Sequence, residues 1–173
     1  KVLMGSERRS MVMSEHEKKT TAVHEAGHTI VGHLLPHHDP IHKVTIIPRG
    51  RALGVTLPLP EADHLNLSLE QLLDKIAMGL GGRIAEEIAF QQVTTGAAND
   101  LQQVTSWARR MVTEWGMSQK LGTLAYVERE DSGFLGSSHY KDYSEATAKE
   151  IDDEVRRIVQ TEYERAKRIL EEN

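Results

Sequence analysis

Ser14 and Pro36 bracket the stretch that most limits how this chain can fold. Glu17 follows Ser14 at the spacing of a reciprocal capping pair, which satisfies two of a helix's orphan N–H groups, and Pro36 cannot continue a helix past Leu35. Val23, Ala26, Ile30 and Leu34 recur at helical spacing, so 14–35 reads as an amphipathic helix packed through that stripe. In its middle stands His24-Glu25-Ala26-Gly27-His28. A separation of four residues is a rotation of about 400°, which leaves the two imidazoles about 40° apart on one face and one turn along. Both rings can then reach one metal ion at about 2.0–2.1 Å. Glu25 is turned about 100° from His24, poorly placed to ligate but well placed to touch a water on that ion. This is the arrangement of a zinc hydrolase with Glu25 as general base. Gly27 costs roughly 1 kcal/mol of helix propensity, which implies close approach by a neighbouring element or a substrate.

Two histidines one turn apart also occur as ordinary core or surface residues, so the pair needs a third protein ligand and an open position. Three carboxylates are candidates. Glu86 and Glu87 follow a glycine pair in a helical pattern, and Asp100 lies in "TTGAANDL" at the start of another. First-turn stabilisation accounts equally well for Asp100, and a solvated face for the two glutamates. Spacing does not choose among them. His16, His33, His64 and His139 are isolated, while His37, His38 and His42 form a local cluster that could at most support the site from behind.

The rest of the chain reads as mainly helical with a small β element. "KVTII" and "ALGVTL" flank "PRG" as a hairpin or paired strands ended by Pro58 and Pro60. Ser68 with Gln71 caps a second helix carrying Leu69, Leu72, Leu73, Ile76 and Leu80, interrupted at "GLGGR" and resumed or kinked in "IAEEIAF". A third helix runs from Asp100 to a stop at Gly116, a short strand is expected at 123–127, and "EREDSGFLGSSHYKDY" reads as a loop. Ser144 opens a long terminal helix with Ile151, Val155, Ile158, Ala166, Ile169 and Leu170 apolar. With aromatics at 5%, the core must be aliphatic.

Composition excludes several functions. A net charge of −5 with interleaved signs argues against nucleic acid as a partner. The absence of cysteine removes disulfides, thiolate zinc sites and cysteine nucleophiles. No apolar run approaches the roughly 20 residues of a membrane span. "GLGGRI" lacks the lysine and the spacing of a P-loop, so the chain is not expected to hydrolyse ATP itself.

"EKKTTAVHEAGHTIVGHLLPHHDPIHKVTIIPRGRALGVTLPLPE", "GGRIAEEI", "VTTGAANDLQQVT" and "ARRMVTEWGMSQKLG" occur in the order found in the FtsH family of membrane-anchored AAA+ zinc proteases. The chain resembles their peptidase domain, in its bacterial form, from about Gly5 onward. The resemblance implies Zn2+ held by His24, His28 and Asp100, with Glu25 catalytic and Glu86 and Glu87 in supporting roles. It implies an endopeptidase acting on unfolded or translocated polypeptides within an ATP-dependent quality-control protease, with an extended substrate pairing on the edge of "KVTII" or "ALGVTL". It also implies a homo-hexamer at the cell inner membrane with the peptidase facing the cytoplasm, where ATP and the membrane act only through modules outside this chain. Residues 1–13 are then a linker from an ATPase module and 14–173 a peptidase domain continuing beyond Asn173. Val23 stands where the family often has an aromatic residue, Gln91-Gln92 where a glycine is usual, and Thr123 where proline is frequent. The alternative from another class is a helical oligomerisation module whose metal is structural or absent.

Overall fold

The capping pair forms as its residues dictate. Ser14 Oγ accepts from Glu17 N at 3.2 Å, Ser14 N donates to Glu17 Oε2 at 2.9 Å, and α1 runs Glu15–Leu34. The computed structural model describes residues 13–48, 53–59, 66–126, 128–133 and 136–173. The expected linker over 1–13 lies outside them except for Met13, which is buried, and His64 lies outside them too. After α1 come β1 (Ile41–Thr45) and β2 (Val55–Pro58), then α2 (Leu69–Phe90). A 3-10 turn at Thr95–Ala97 leads into α3 (Ala98–Thr113), followed by β3 (Glu128–Gly133), β4 (Gly136–Lys141) and α4 (Glu145–Glu172). The architecture is mainly α, as expected.

β1 and β2 pair antiparallel with Val44 opposite Thr56 and Thr45 opposite Val55. Pro58 is the last paired residue, where its missing N–H does no harm at a strand end. β3 and β4 also pair antiparallel, closing at Gly133 opposite Gly136. That hairpin corrects the loop expected there. Its residues are polar almost throughout, so no alternation of apolar and polar positions marks it in the sequence. The strand expected at 123–127 is absent over 123–126, and Val127 lies outside the described residues. Tyr126 N instead returns to Thr113 O at 2.8 Å, a single bond that ties the segment to the end of α3. Gly116 ends α3 as expected, with φ 59° and Met117 N donating to Met111 O.

Two expectations about helix packing fail for one reason. α2 is continuous through Gly79, Gly81 and Gly82, with no break at "GLGGR". α1 does not pack through Val23, Ala26, Ile30 and Leu34; its buried face carries Gly27, His28, Val31 and Gly32, while Ala26 and Leu34 are exposed. The two helices cross backbone to backbone. A Cβ on Gly27 would stand 2.3 Å from Gly81 O, and one on Gly81 would stand 2.7 Å from Gly27 O. Glycine costs each helix propensity but removes the side chains that would hold them apart, and the gain in contact offsets the cost. Such a contact leaves no hydrophobic signature in the sequence. Around it, Val31, Leu72, Ile76, Leu80, Ile84, Val104, Met111, Ile151 and Ile158 form the aliphatic core, while Leu69, expected inside, is exposed.

Candidate metal centre

The crossing of α1 on α2 sets the depth at which the two histidines sit. A Cβ on Gly82 would lie 2.6 Å from His24 Nε2 and 2.6 Å from His28 Nε2, so the imidazoles occupy the space a side chain there would fill. The rings meet edge to face, with centroids 4.7 Å apart and planes at 82°. Each is fixed from behind by α2. His24 Nδ1 donates to Glu86 Oε1 at 2.7 Å, and His28 Nδ1 donates to the Met78 carbonyl at 2.8 Å. A carbonyl only accepts, and an ionised carboxylate only accepts, so both protons belong on Nδ1 and both Nε2 lone pairs face outward.

Asp100 arrives from the first turn of α3, beyond the 3-10 turn that Thr94 caps. Its Oδ2 lies 3.3 Å from His24 Nε2 and 3.6 Å from His28 Nε2, and the two Nε2 atoms are 3.0 Å apart. Three electron-rich atoms therefore converge on one point. Tetrahedral bonds of about 2.0–2.1 Å would space ligand atoms about 3.3 Å apart, so this donor set fits a zinc ion. It is the one group of three or more His, Asp or Glu side chains with metal-binding spacing among the described residues. Burial works against the His24 imidazolium, but hydrogen bonds to Asp100 and Glu86 outweigh it and raise its pKa. Burial also opposes ionisation of Asp100, yet its bonds to His24 and His28 bring it down to about 2.

The three carboxylates that spacing left open are separated by the fold. Asp100 points at the histidines, while Glu86 lies behind His24 and takes a second bond from Thr94 N at 3.1 Å. Glu87 leaves the site altogether and accepts from Tyr163 Oη at 2.9 Å. Of the histidine cluster, His37 N donates to Asp74 and His38 Nδ1 to the Asp39 carbonyl, so these bonds tie it elsewhere.

Glu25 is buried against β2. Thr56 Oγ1 donates to Glu25 Oε2 at 2.6 Å, and a Cβ on Gly54 would lie 2.6 Å from Glu25 Oε1. On the same side of α1, Ala26 and Ile30 line an apolar groove of about 590 Å³ with Val44, Ile46 and Ile47. Two residues of the α1 stripe read from the sequence as core, Ala26 and Ile30, are thus part of the wall of this groove. The Met78 carbonyl, Thr56, Gly54 and Gly82 had no place in the sequence reading. "LGVT" shows only a strand, and a backbone carbonyl has no sequence signal.

Comparison with known proteins agrees with this geometry. The model of peptidase family M41 matches residues 11–173. The chain is 57% identical over 175 residues to the ATP-dependent zinc metalloprotease FtsH of Myxococcus xanthus. It is 55% identical over 171 residues to the ATP-dependent zinc metalloprotease FtsH 3 of Symbiobacterium thermophilum, and 52% identical over 177 residues to the ATP-dependent zinc metalloprotease FtsH of Haemophilus influenzae. These alignments cover 100%, 98% and 100% of this chain, but only 27%, 27% and 28% of the respective relatives. The chain spans little more than a quarter of their length.

Proposed function

The chain belongs to peptidase family M41, and on that premise we propose that it is the zinc-dependent endopeptidase part of an ATP-dependent protease that cuts unfolded polypeptides. His24, His28 and Asp100 hold the ion in this reading, and Glu25 is the catalytic base. The observation that carries it is the convergence of three donor atoms, 3.0, 3.3 and 3.6 Å apart, from two different helices. Among the described residues three protein donors converge, which leaves a fourth position open, whereas structural zinc sites are closed by four, and this favours the peptidase over a helical oligomerisation module.

Zinc, when bound, supplies a Lewis acid that acidifies water and polarises a carbonyl. The chain's own residues do the rest. Glu25 takes a proton from the attacking water on its carboxylate and returns it to the leaving amine. Glu86 and the Met78 carbonyl hold both imidazoles in the Nδ1–H tautomer, so that Nε2 stays free to ligate. The apolar groove beside Glu25 takes a side chain of the peptide, whose backbone pairs with the free edge of the β1–β2 sheet. A proline placed along β1 that left peptide cleavage unchanged would remove this last element.

The wider reading rests on the resemblance of the sequence motifs. Residues 14–173 form the peptidase domain, 1–13 lead from an ATPase module, and the longer protein works as a homo-hexamer at the cell inner membrane with this part facing the cytoplasm. Among the described residues no helix is long and apolar enough to cross a membrane.

The test is zinc content by elemental analysis, run beside cleavage of an unstructured fluorogenic peptide. One zinc per chain is expected in the wild type and in Glu87→Ala, and much less in His28→Ala and Asp100→Ala. If Asp100→Ala kept its zinc while Glu87→Ala lost it, the ligand assignment would be wrong.

A further inference from the structure

Glu25 is the residue on which the proposed chemistry turns, and its carboxylate is braced by a strand that has no other connection to the metal centre. Gly54 and Thr56 lie two residues apart, just before β2 and within it, so they share one side of the extended chain. Thr56 sits opposite Val44 in the sheet, which fixes its depth against α1. From there its hydroxyl reaches two acceptors on Glu25, the carboxylate Oε2 at 2.6 Å and the main-chain oxygen at 3.2 Å. A hydroxyl has one proton to give, and the shorter bond to a charged acceptor takes it. The Glu25 main-chain oxygen is in any case served by Thr29 Oγ1 at 2.7 Å. The second carboxylate oxygen lies over Gly54, where any side chain would collide with it.

We propose that Thr56 is a positioning residue for the peptidase reaction: its hydroxyl holds one oxygen of Glu25 so that the other is presented in a single orientation for proton transfer. This rests on the reading of Glu25 as the base. A glutamate side chain has three rotatable bonds, and misplacement of a base by about 1 Å can cost on the order of 100-fold in rate. The Oε2 bond fixes the last of those torsions. It also ties the catalytic group to β2, whose partner strand β1 contributes Val44 and Thr45 to the apolar groove.

Thr56→Val keeps the shape and removes the hydroxyl, while Thr56→Ser keeps the hydroxyl. With zinc at one per chain in all forms, Thr56→Val should lower kcat about tenfold or more with KM within about twofold of wild type. Thr56→Ser should restore most of the loss. An independent readout is a double-mutant cycle in urea unfolding of the metal-free chain, pairing Thr56→Val with Glu25→Ala. The two midpoint shifts should fall short of additive, because either change alone removes the same bond. Wild-type kcat in Thr56→Val, an equal loss in Thr56→Val and Thr56→Ser, or additive midpoint shifts would overturn the proposal. Glu25→Gln serves as the control that separates the two readings. If Glu25→Gln still cleaves, the assignment of the base fails; if it is inactive while Thr56→Val is normal, only the positioning role fails.

Discussion

Helix α2 buries two carboxylates, Asp74 near its start and Glu86 near its end, and the partners they take could hardly differ more. Asp74 is wholly buried and accepts from the Arg165 guanidinium of α4 and from His37 N at 2.8 Å. Glu86 is almost as buried and accepts from His24 Nδ1 at 2.7 Å and Thr94 N at 3.1 Å. Each therefore has one charged or chargeable donor and one backbone donor. A guanidinium stays charged at any ordinary pH, and all its polar atoms are donors, so although Arg165 also meets Glu162 at 2.8 Å, it has no lone pair left to offer a metal. An imidazole gives one nitrogen to Glu86 and has a second nitrogen left to face Asp100. The first carboxylate holds a group that can only donate, and the second holds a ring whose other nitrogen can accept or ligate. Burial and satisfaction alone do not distinguish a structural clamp from part of a reactive site; what the partner has left to offer does.

The largest expected effect breaks the functional end without touching a charge. Gly82→Ala puts a methyl group within 2.6 Å of both Nε2 atoms, so zinc binding and peptide cleavage should both be lost, by roughly 100-fold or more. Elemental analysis on the folded variant is the check. Wild-type zinc content there would show that the rings can give way, and that the glycine serves only the helix crossing.

A matched pair of substitutions sharpens the contrast between the two carboxylates. Asp74→Ala leaves Arg165 with only Glu162 and leaves His37 N without its acceptor, and should cost about 2 kcal/mol in urea unfolding, with zinc affinity of the folded chain unchanged. Glu86→Gln should do the reverse, weakening zinc binding by about 10–100-fold while costing about 1 kcal/mol or less of metal-free stability. Equal zinc loss in both variants would dissolve the distinction. The smallest effect lies just beyond Glu86. Gln91 closes α2 at φ 52°, a left-handed cap that disfavours any residue with a Cβ. Gln91→Gly should raise stability by about 1 kcal/mol in thermal or urea unfolding and leave zinc content alone.

What the chain's sequence determined by itself was local. The caps at Ser14, Ser68 and Ser144, the stop at Gly116 and the pairing of His24 with His28 follow from interactions between residues a turn or less apart, and each stands in the fold as its neighbours require. The aliphatic character of the core was equally plain from composition. The tertiary structure decided everything that depends on what crosses what. It turned "GLGGR" from a break into a helix–helix contact, and Ala26 and Ile30 of α1 from core into the wall of a groove. Local residue chemistry left Asp100, Glu86 and Glu87 equivalent as candidate ligands. Only the crossing of α1 on α2 and the approach of α3 send one to the histidines' outer nitrogens, one to an inner nitrogen 62 residues back along the chain, and one to Tyr163. A carboxylate's role is set by the atom it meets, and that atom is supplied by a distant part of the chain.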